Sequence, residues 1–280
     1  MKPNHRKYLP DWSKRLAKWI LPADTLSLLR QPQLRKIAAM LPDGAEPLCY
    51  YSVGARGDLP EGLDYLRRQG RVRTIGFEPD AAEARRLGET NDWDEMVCGA
   101  LGGCDGMANL HVTENLGCSS IYEPHMENVR RLFDRPQWFR VVAQQPVKLN
   151  RLASVVIEKK LPPPEILQID VQGYELEVLK GAEELLSQVL VIHLETHFYP
   201  LYRGQPLFPE IHAYLTDRGF MLMSLRKANL GFGGRFVEAD ACYISDRHSL
   251  DNIRLRAAYA FYKYTNHYWS SGDARAAACV

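Results

Sequence analysis

Short apolar runs alternate along this chain with stretches of helical periodicity. The runs at Leu48 to Val53, Arg73 to Phe77, Met96 to Ala100, Ile166 to Asp170, Leu190 to Glu195, Phe220 to Leu225 and Ala241 to Ile244 predict strands. The apolar–polar alternation of Ala108 to Thr113 predicts an extra antiparallel strand, and Arg140 to Leu149 another. Helical spacing is clearest over Ala81 to Leu87, Tyr174 to Leu186 and Pro209 to Arg218. Strands alternating with helices predict βαβ units and a doubly wound, mainly parallel α/β sheet. The tail from Leu250 to Val280 reads as a helix with Ile253, Ala257, Ala260 and Phe261 on one face. No internal repeat or low-complexity tract interrupts the pattern.

The segment LQIDVQGYELEVLKGAEELL carries the sharpest local signal. An apolar strand ends in Asp170, a turn follows at Gly173, and Leu176, Leu179, Ala182 and Leu186 then share a helix face. Asp170 is thereby placed at the carboxyl tip of a strand, where open α/β sheets bind their ligands.

A second signal lies upstream, in LCYYSVGARGDLPEGLDYLRRQGRVRTIGFEPD. It reads as strand, glycine-rich turn, helix, strand and acid. Gly54 and Gly57 frame the turn, where a missing Cβ lets backbone approach a ligand closely. Asp58 stands where a helix cap would. Glu78 closes the second strand, placed to accept both hydroxyls of a ribose. The pair implies a nucleoside-containing ligand across the first two strands. The run Gly54-Ala55-Arg56-Gly57 is too short for the G-x-G-x-x-G dinucleotide fingerprint, and no Lys-Ser/Thr follows to make a P-loop. S-adenosylmethionine fits better than a pyrophosphate. An ordinary βα turn with a solvated Glu78 is the plain alternative.

These motifs, taken with others, resemble the FkbM family of S-adenosylmethionine-dependent methyltransferases. The resemblance runs from about Leu48 to about Ser245, with the pieces in family order: VGARGD, FEPD, GALGG, NLGCSSIYEP, ILQIDVQGYELEVLKGA and HLETHFYPLYRGQPLFPEIHAYLTDRGF. It implies a class I, Rossmann-like, seven-stranded sheet with its last strand inserted antiparallel. It also implies cofactor contacts from Gly54, Ala55, Gly57, Glu78, Pro79, Ala100, Leu101, Ser119, Ser120 and Asp170. Ser52 departs from the acid usual in the family, and Asn150 from a common Asp.

An oxygen nucleophile must lie in line with the methyl group and lose a proton, so a general base helps. The expected catalytic residues are Asp170, Glu195 and His197. Asp170 ranks first by its place and by the family motif; Glu195 ends the HLETH strand; His197 is of the residue type most often used as a base at neutral pH. Each has a plainer role: Asp170 as a cap or ammonium partner, Glu195 on a backbone amide, His197 as packing. The same three would suit a divalent ion, but their spacing does not demand one, and no metal ligand is assigned.

Composition narrows the function classes. The chain of 280 residues is 46% hydrophobic and 25% charged, enough for one full core with additions. The division expected is a helical N-terminal extension (1–45), a methyltransferase domain (46–248) and a helical tail (249–280). A net charge of +1 offers no general attraction to nucleic acid. Six cysteines without a C-x-x-C pair suggest neither zinc nor disulfides, and a reducing cytoplasm suits them. No run reaches the roughly 18–20 apolar residues of a membrane span. Trp12, Leu16, Trp19 and Ile20 nonetheless share a helical face beside Lys14, Arg15 and Lys18, punctuated by Pro22, Pro32 and Pro42. That segment can pack on the domain, cover substrate or a dimer partner, or lie on a membrane surface.

The expectation is an O-methyltransferase acting on a hydroxyl of a small molecule, a sugar of a glycan or glycolipid or a secondary metabolite. An NAD(P)-dependent oxidoreductase and a non-catalytic binding protein on the same fold are the alternatives.

Overall fold

The computed structural model describes residues 32–57, 59, 61–90, 93–231, 234–249 and 251–270. Its strands, numbered in chain order, are β1 (Leu48–Val53), β2 (Val72–Glu78), β3 (Glu95–Cys98), β4 (Ala100–Leu101), β5 (Gly106–Thr113), β6 (Val141–Asn150), β7 (Ile166–Ile169), β8 (Val191–His197), β9 (Phe220–Gly231) and β10 (Arg235–Ser245). The α-helices are α1 (32–38), α2 (Glu61–Arg68), α3 (Ala81–Glu89), α4 (Met126–Leu132), α5 (Leu152–Lys159), α6 (Glu175–Gly181), α7 (Phe208–Thr216) and α8 (Ile253–Ser270).

Seven strands form the main sheet in the order β3-β2-β1-β7-β8-β10-β9. The pairs from β3 through β8 are parallel, and β10 is antiparallel to both β8 and β9. A parallel strand covered on both faces must be apolar throughout. β1 obeys this, with all six residues buried. Its alternation splits two hydrophobic layers. Cys49, Tyr51 and Val53 join Ile169, Leu179, Leu194 and Leu215 on one face. Leu48 and Tyr50 join Leu63, Leu66, Ile166, Leu255 and Phe261 on the other.

The second layer also takes Leu34, Ala38 and Leu41, so the described end of the N-terminal segment packs on the sheet. Trp12, Leu16, Trp19 and Ile20 lie outside the described residues, as does Asp58. The tail helix α8 is tied down by Arg254, whose Nε and Nη2 each donate to the Glu165 carboxylate at 2.6 Å. No helix of the described residues is long and apolar enough to cross a membrane.

Several boundaries differ from the sequence expectation, among them the end of β9, which runs to Gly231 rather than Leu225. The run Met96 to Ala100 is split, because the chain leaves the main sheet at Gly99 and β4 joins a separate three-stranded sheet, β4-β6-β5. The helix expected over Tyr174 to Leu186 ends at Gly181, followed by a 3-10 turn at Glu183–Leu185. There a Cβ would collide with the Gly102 carbonyl, so only glycine allows this close packing. Strand β10 starts six residues before Ala241, since Glu238 and Asp240 interrupt its apolar pattern. The strand expected over Ala108 to Thr113 forms as β5, antiparallel to β6.

Candidate active site

The strand order reverses between β1 and β7, and a cavity of about 340 Å³ opens at their carboxyl ends. That suits a nucleoside-sized ligand. Its floor is Val53, Gly54, Phe77 and Glu78; Leu110 and Val112 of β5 and the loop through Ser119 and Ser120 cover it. Gly54 has a φ of +80°, and a Cβ there would run into the Asp170 carbonyl oxygen. Only glycine lets the tips of β1 and β7 meet so closely. The amides of Gly54 and Ala55 both donate to the Phe77 carbonyl at 3.0 Å, which pins the turn over β2.

Glu78 is 3% exposed. Its Oε1 accepts the Asp80 amide at 2.9 Å, and Arg56 stands 3.8 Å away. Burial pushes its pKa above the usual glutamate value, while the Asp80 amide and Arg56 hold it down in part. Asp80 caps α3, accepting from the amides of Ala82 (2.9 Å) and Glu83 (3.2 Å). The glycine turn therefore ends beside a fixed acceptor with one oxygen unused by the chain among the described residues. Such a carboxylate suits the two hydroxyls of a ribose.

At the other end, the turn after β7 builds a chamber of acids. Gln172 takes a left-handed backbone, with φ of +56°. This turns its Nε2 to donate to Asp170 Oδ1 (2.9 Å) and Glu195 Oε2 (2.8 Å). The Tyr202 hydroxyl sits between Gln172 Oε1 at 3.1 Å and the Cys118 carbonyl at 2.9 Å. Glu175 is 1% exposed, and its Oε1 accepts from the amides of Val171 (3.1 Å) and Gly173 (3.0 Å). From β10, Glu238 comes within 3.5 Å of His197 Nε2, which is also 3.8 Å from Glu195 Oε2.

Crowded carboxylates in a desolvated space cannot all ionise at ordinary pH. Burial first, then the charge of Asp170 and the further acids, pushes Glu195 well above the glutamate range. Desolvation also raises Asp170, opposed by Gln172 and His197. Asp170 opens onto the cavity whereas Glu195 lies behind it.

Eight of the ten expected cofactor contacts line the cavity: Gly54, Glu78, Pro79, Ala100, Leu101, Ser119, Ser120 and Asp170. Ala55 is buried beneath the turn, and Gly57 is spent on its outer side, donating to Glu83 Oε1 at 3.3 Å. Of the catalytic candidates only Asp170 lines the cavity. Glu195 reaches it through Gln172. His197 is walled in at 1% exposure, edge-on to Tyr202. The sequence reading missed Arg56, Gln172 and Tyr174 of the lining, and Glu175 and Glu238 of the chamber. For Glu238 a signal existed: two acids, Glu238 and Asp240, on alternate positions of an apolar strand.

A model of the methyltransferase FkbM domain matches residues 53–222. The 2-O-methyltransferase NoeI of Sinorhizobium fredii is 25% identical over 146 residues, a match spanning 50% of this chain and 60% of that relative's own length. Among solved structures, a TehB-like S-adenosylmethionine-dependent methyltransferase of Corynebacterium glutamicum aligns with a TM-score of 0.34 and 12% identity, over 76% of this chain and 86% of that one. The magnesium protoporphyrin IX methyltransferase of Synechocystis aligns with a TM-score of 0.37 and 12% identity, over 86% and 99%. The family match covers more than half of the chain, so the protein belongs to the FkbM methyltransferase family.

Proposed function

We propose that this methyltransferase uses S-adenosylmethionine and methylates a hydroxyl oxygen of a small molecule, a sugar of a glycan or glycolipid or a secondary metabolite. The oxygen acceptor is supported by the name of the relative, a 2-O-methyltransferase. The observation that carries the proposal is the cavity itself, with Glu78 fixed at one end and Asp170 open at the other.

Bound there, S-adenosylmethionine would supply an electrophilic methyl group on a sulfonium. Glu78 would accept the ribose hydroxyls as charge-assisted hydrogen bonds. Gly54 and the turn it allows would face the cofactor as bare backbone. Leu110, Val112 and Leu101 line the cavity with apolar surface, which would help to exclude water from the reacting oxygen. Asp170, held by Gln172, would orient the acceptor hydroxyl and take its proton as the oxygen–carbon bond forms.

The test is acceptor-dependent release of S-adenosylhomocysteine across a panel of oligosaccharides, phenols and amines. Release with hydroxylated acceptors is expected. Methylation of amines alone would contradict the oxygen assignment.

A further inference from the structure

The chamber behind the cavity holds more carboxylates than removal of one proton requires. Asp170, Glu175 and Glu195 each offer a carboxylate oxygen within 4.8 Å of the others. Gln172 Nε2 engages one oxygen of Asp170 and one of Glu195. The second oxygen of each has no hydrogen bond to the described residues.

Two further observations point to a missing occupant. Glu175 is 1% exposed, and its Oε1 is fixed by two backbone amides while its Oε2 has no partner. His197 is also 1% exposed, and neither ring nitrogen has a hydrogen bond. Its Nε2 points among the acids, 3.8 Å from Glu195 and 3.5 Å from Glu238. Buried polar atoms are rarely left unpaired. One imidazole, even protonated, cannot balance four acids.

Hard divalent cations take oxygen ligands at about 2.0–2.2 Å, which places neighbouring ligand oxygens about 3 Å apart and opposite ones about 4 Å apart. The three carboxylates need shift only slightly to meet that spacing. We propose that Asp170, Glu175 and Glu195 hold a divalent cation, Mg²⁺ or Mn²⁺, at the tips of β7 and β8. Asp170 belongs both to this set and to the cavity wall, so the open positions of the cation face the acceptor. They suit paired hydroxyls, which makes a polyol with adjacent hydroxyls the substrate class. This acceptor half rests on the hydroxyl-methylation reading above; the cation half does not.

The test uses the full chain stripped with EDTA and titrated with Mn²⁺, followed by electron paramagnetic resonance. One Mn²⁺ per chain is expected, weakened tenfold or more by Glu195→Gln and by Glu175→Gln. Gln at position 175 keeps an amide oxygen for the Val171 and Gly173 amides, so the loop survives while the unpaired oxygen is replaced by NH₂. Circular dichroism melts without metal, unchanged in both variants, confirm the fold. No binding at millimolar Mn²⁺, or binding that both variants leave within twofold, overturns the proposal. Calorimetry with S-adenosylhomocysteine in EDTA separates the two readings: failure there strikes the cofactor assignment and leaves the cation result standing.

Discussion

At the scale of single residues, Glu78 carries opposed duties. Its pKa is raised by burial, so the folded state holds a proton that the unfolded chain gives up at lower pH. That contribution to stability is full below the ordinary glutamate pKa and is lost as the pH rises through the raised value. At neutral pH the ionised Glu78 is therefore a cost to the free protein. Glu78→Gln keeps an acceptor for the Asp80 amide and removes the charge. It is expected to raise Tm without ligand, yet to weaken S-adenosylhomocysteine by about 1.5–3 kcal/mol, roughly 10- to 150-fold. Thermal melts and calorimetry on one preparation check both signs; equal affinity in the two proteins would remove Glu78 from the ribose. Asp170→Asn should leave that affinity within a fewfold and reduce turnover about 10²- to 10⁴-fold, the range for a lost general base. Affinity falling in parallel would instead make Asp170 a cofactor ligand. Both acids were legible because each ends an apolar strand run. Glu175 was not, since acids are ordinary in the first turn of a helix. Nor was Gln172: nothing in a glutamine announces a left-handed backbone or a side chain bridging two carboxylates.

At the scale of elements, the turn after β1 separates two kinds of glycine. Gly54 and Gly57 both have positive φ, +80° and +92°. A Cβ at Gly57 meets nothing within 4 Å, whereas one at Gly54 strikes the Asp170 carbonyl. Gly57→Ala should cost about 1–2 kcal/mol, the left-handed penalty alone. Gly54→Ala should cost clearly more, and should abolish cofactor binding as β1 and β7 move apart. Urea denaturation of both variants measures the difference; equal losses would mean that the strand tips are not in tight contact. Sequence periodicity located most strands because a doubly covered sheet requires unbroken apolar runs. It misplaced the ends where another demand prevailed: close packing at Gly181, the exit to a second sheet at Gly99, and the acids Glu238 and Asp240 carried by β10. The pairing of β10 between β8 and β9 came from the family resemblance, since a strand's direction leaves no mark on its own periodicity.

At the scale of the whole molecule, two hydrophobic layers on one twisted sheet fix the strand tips, and the strand-order reversal sets Glu78 and Asp170 at opposite ends of one cavity. A nucleoside seated on Glu78 would present its far end toward Asp170 and the acids behind it. The short glycine turn, with no third glycine for a pyrophosphate, favours S-adenosylmethionine over a dinucleotide in the same seat. Isothermal titration of the purified chain with S-adenosylhomocysteine, NAD and NADP tests this most directly. The account predicts one site for S-adenosylhomocysteine with micromolar-range affinity and no heat from either dinucleotide. Tight binding of NADP with none of S-adenosylhomocysteine would contradict it.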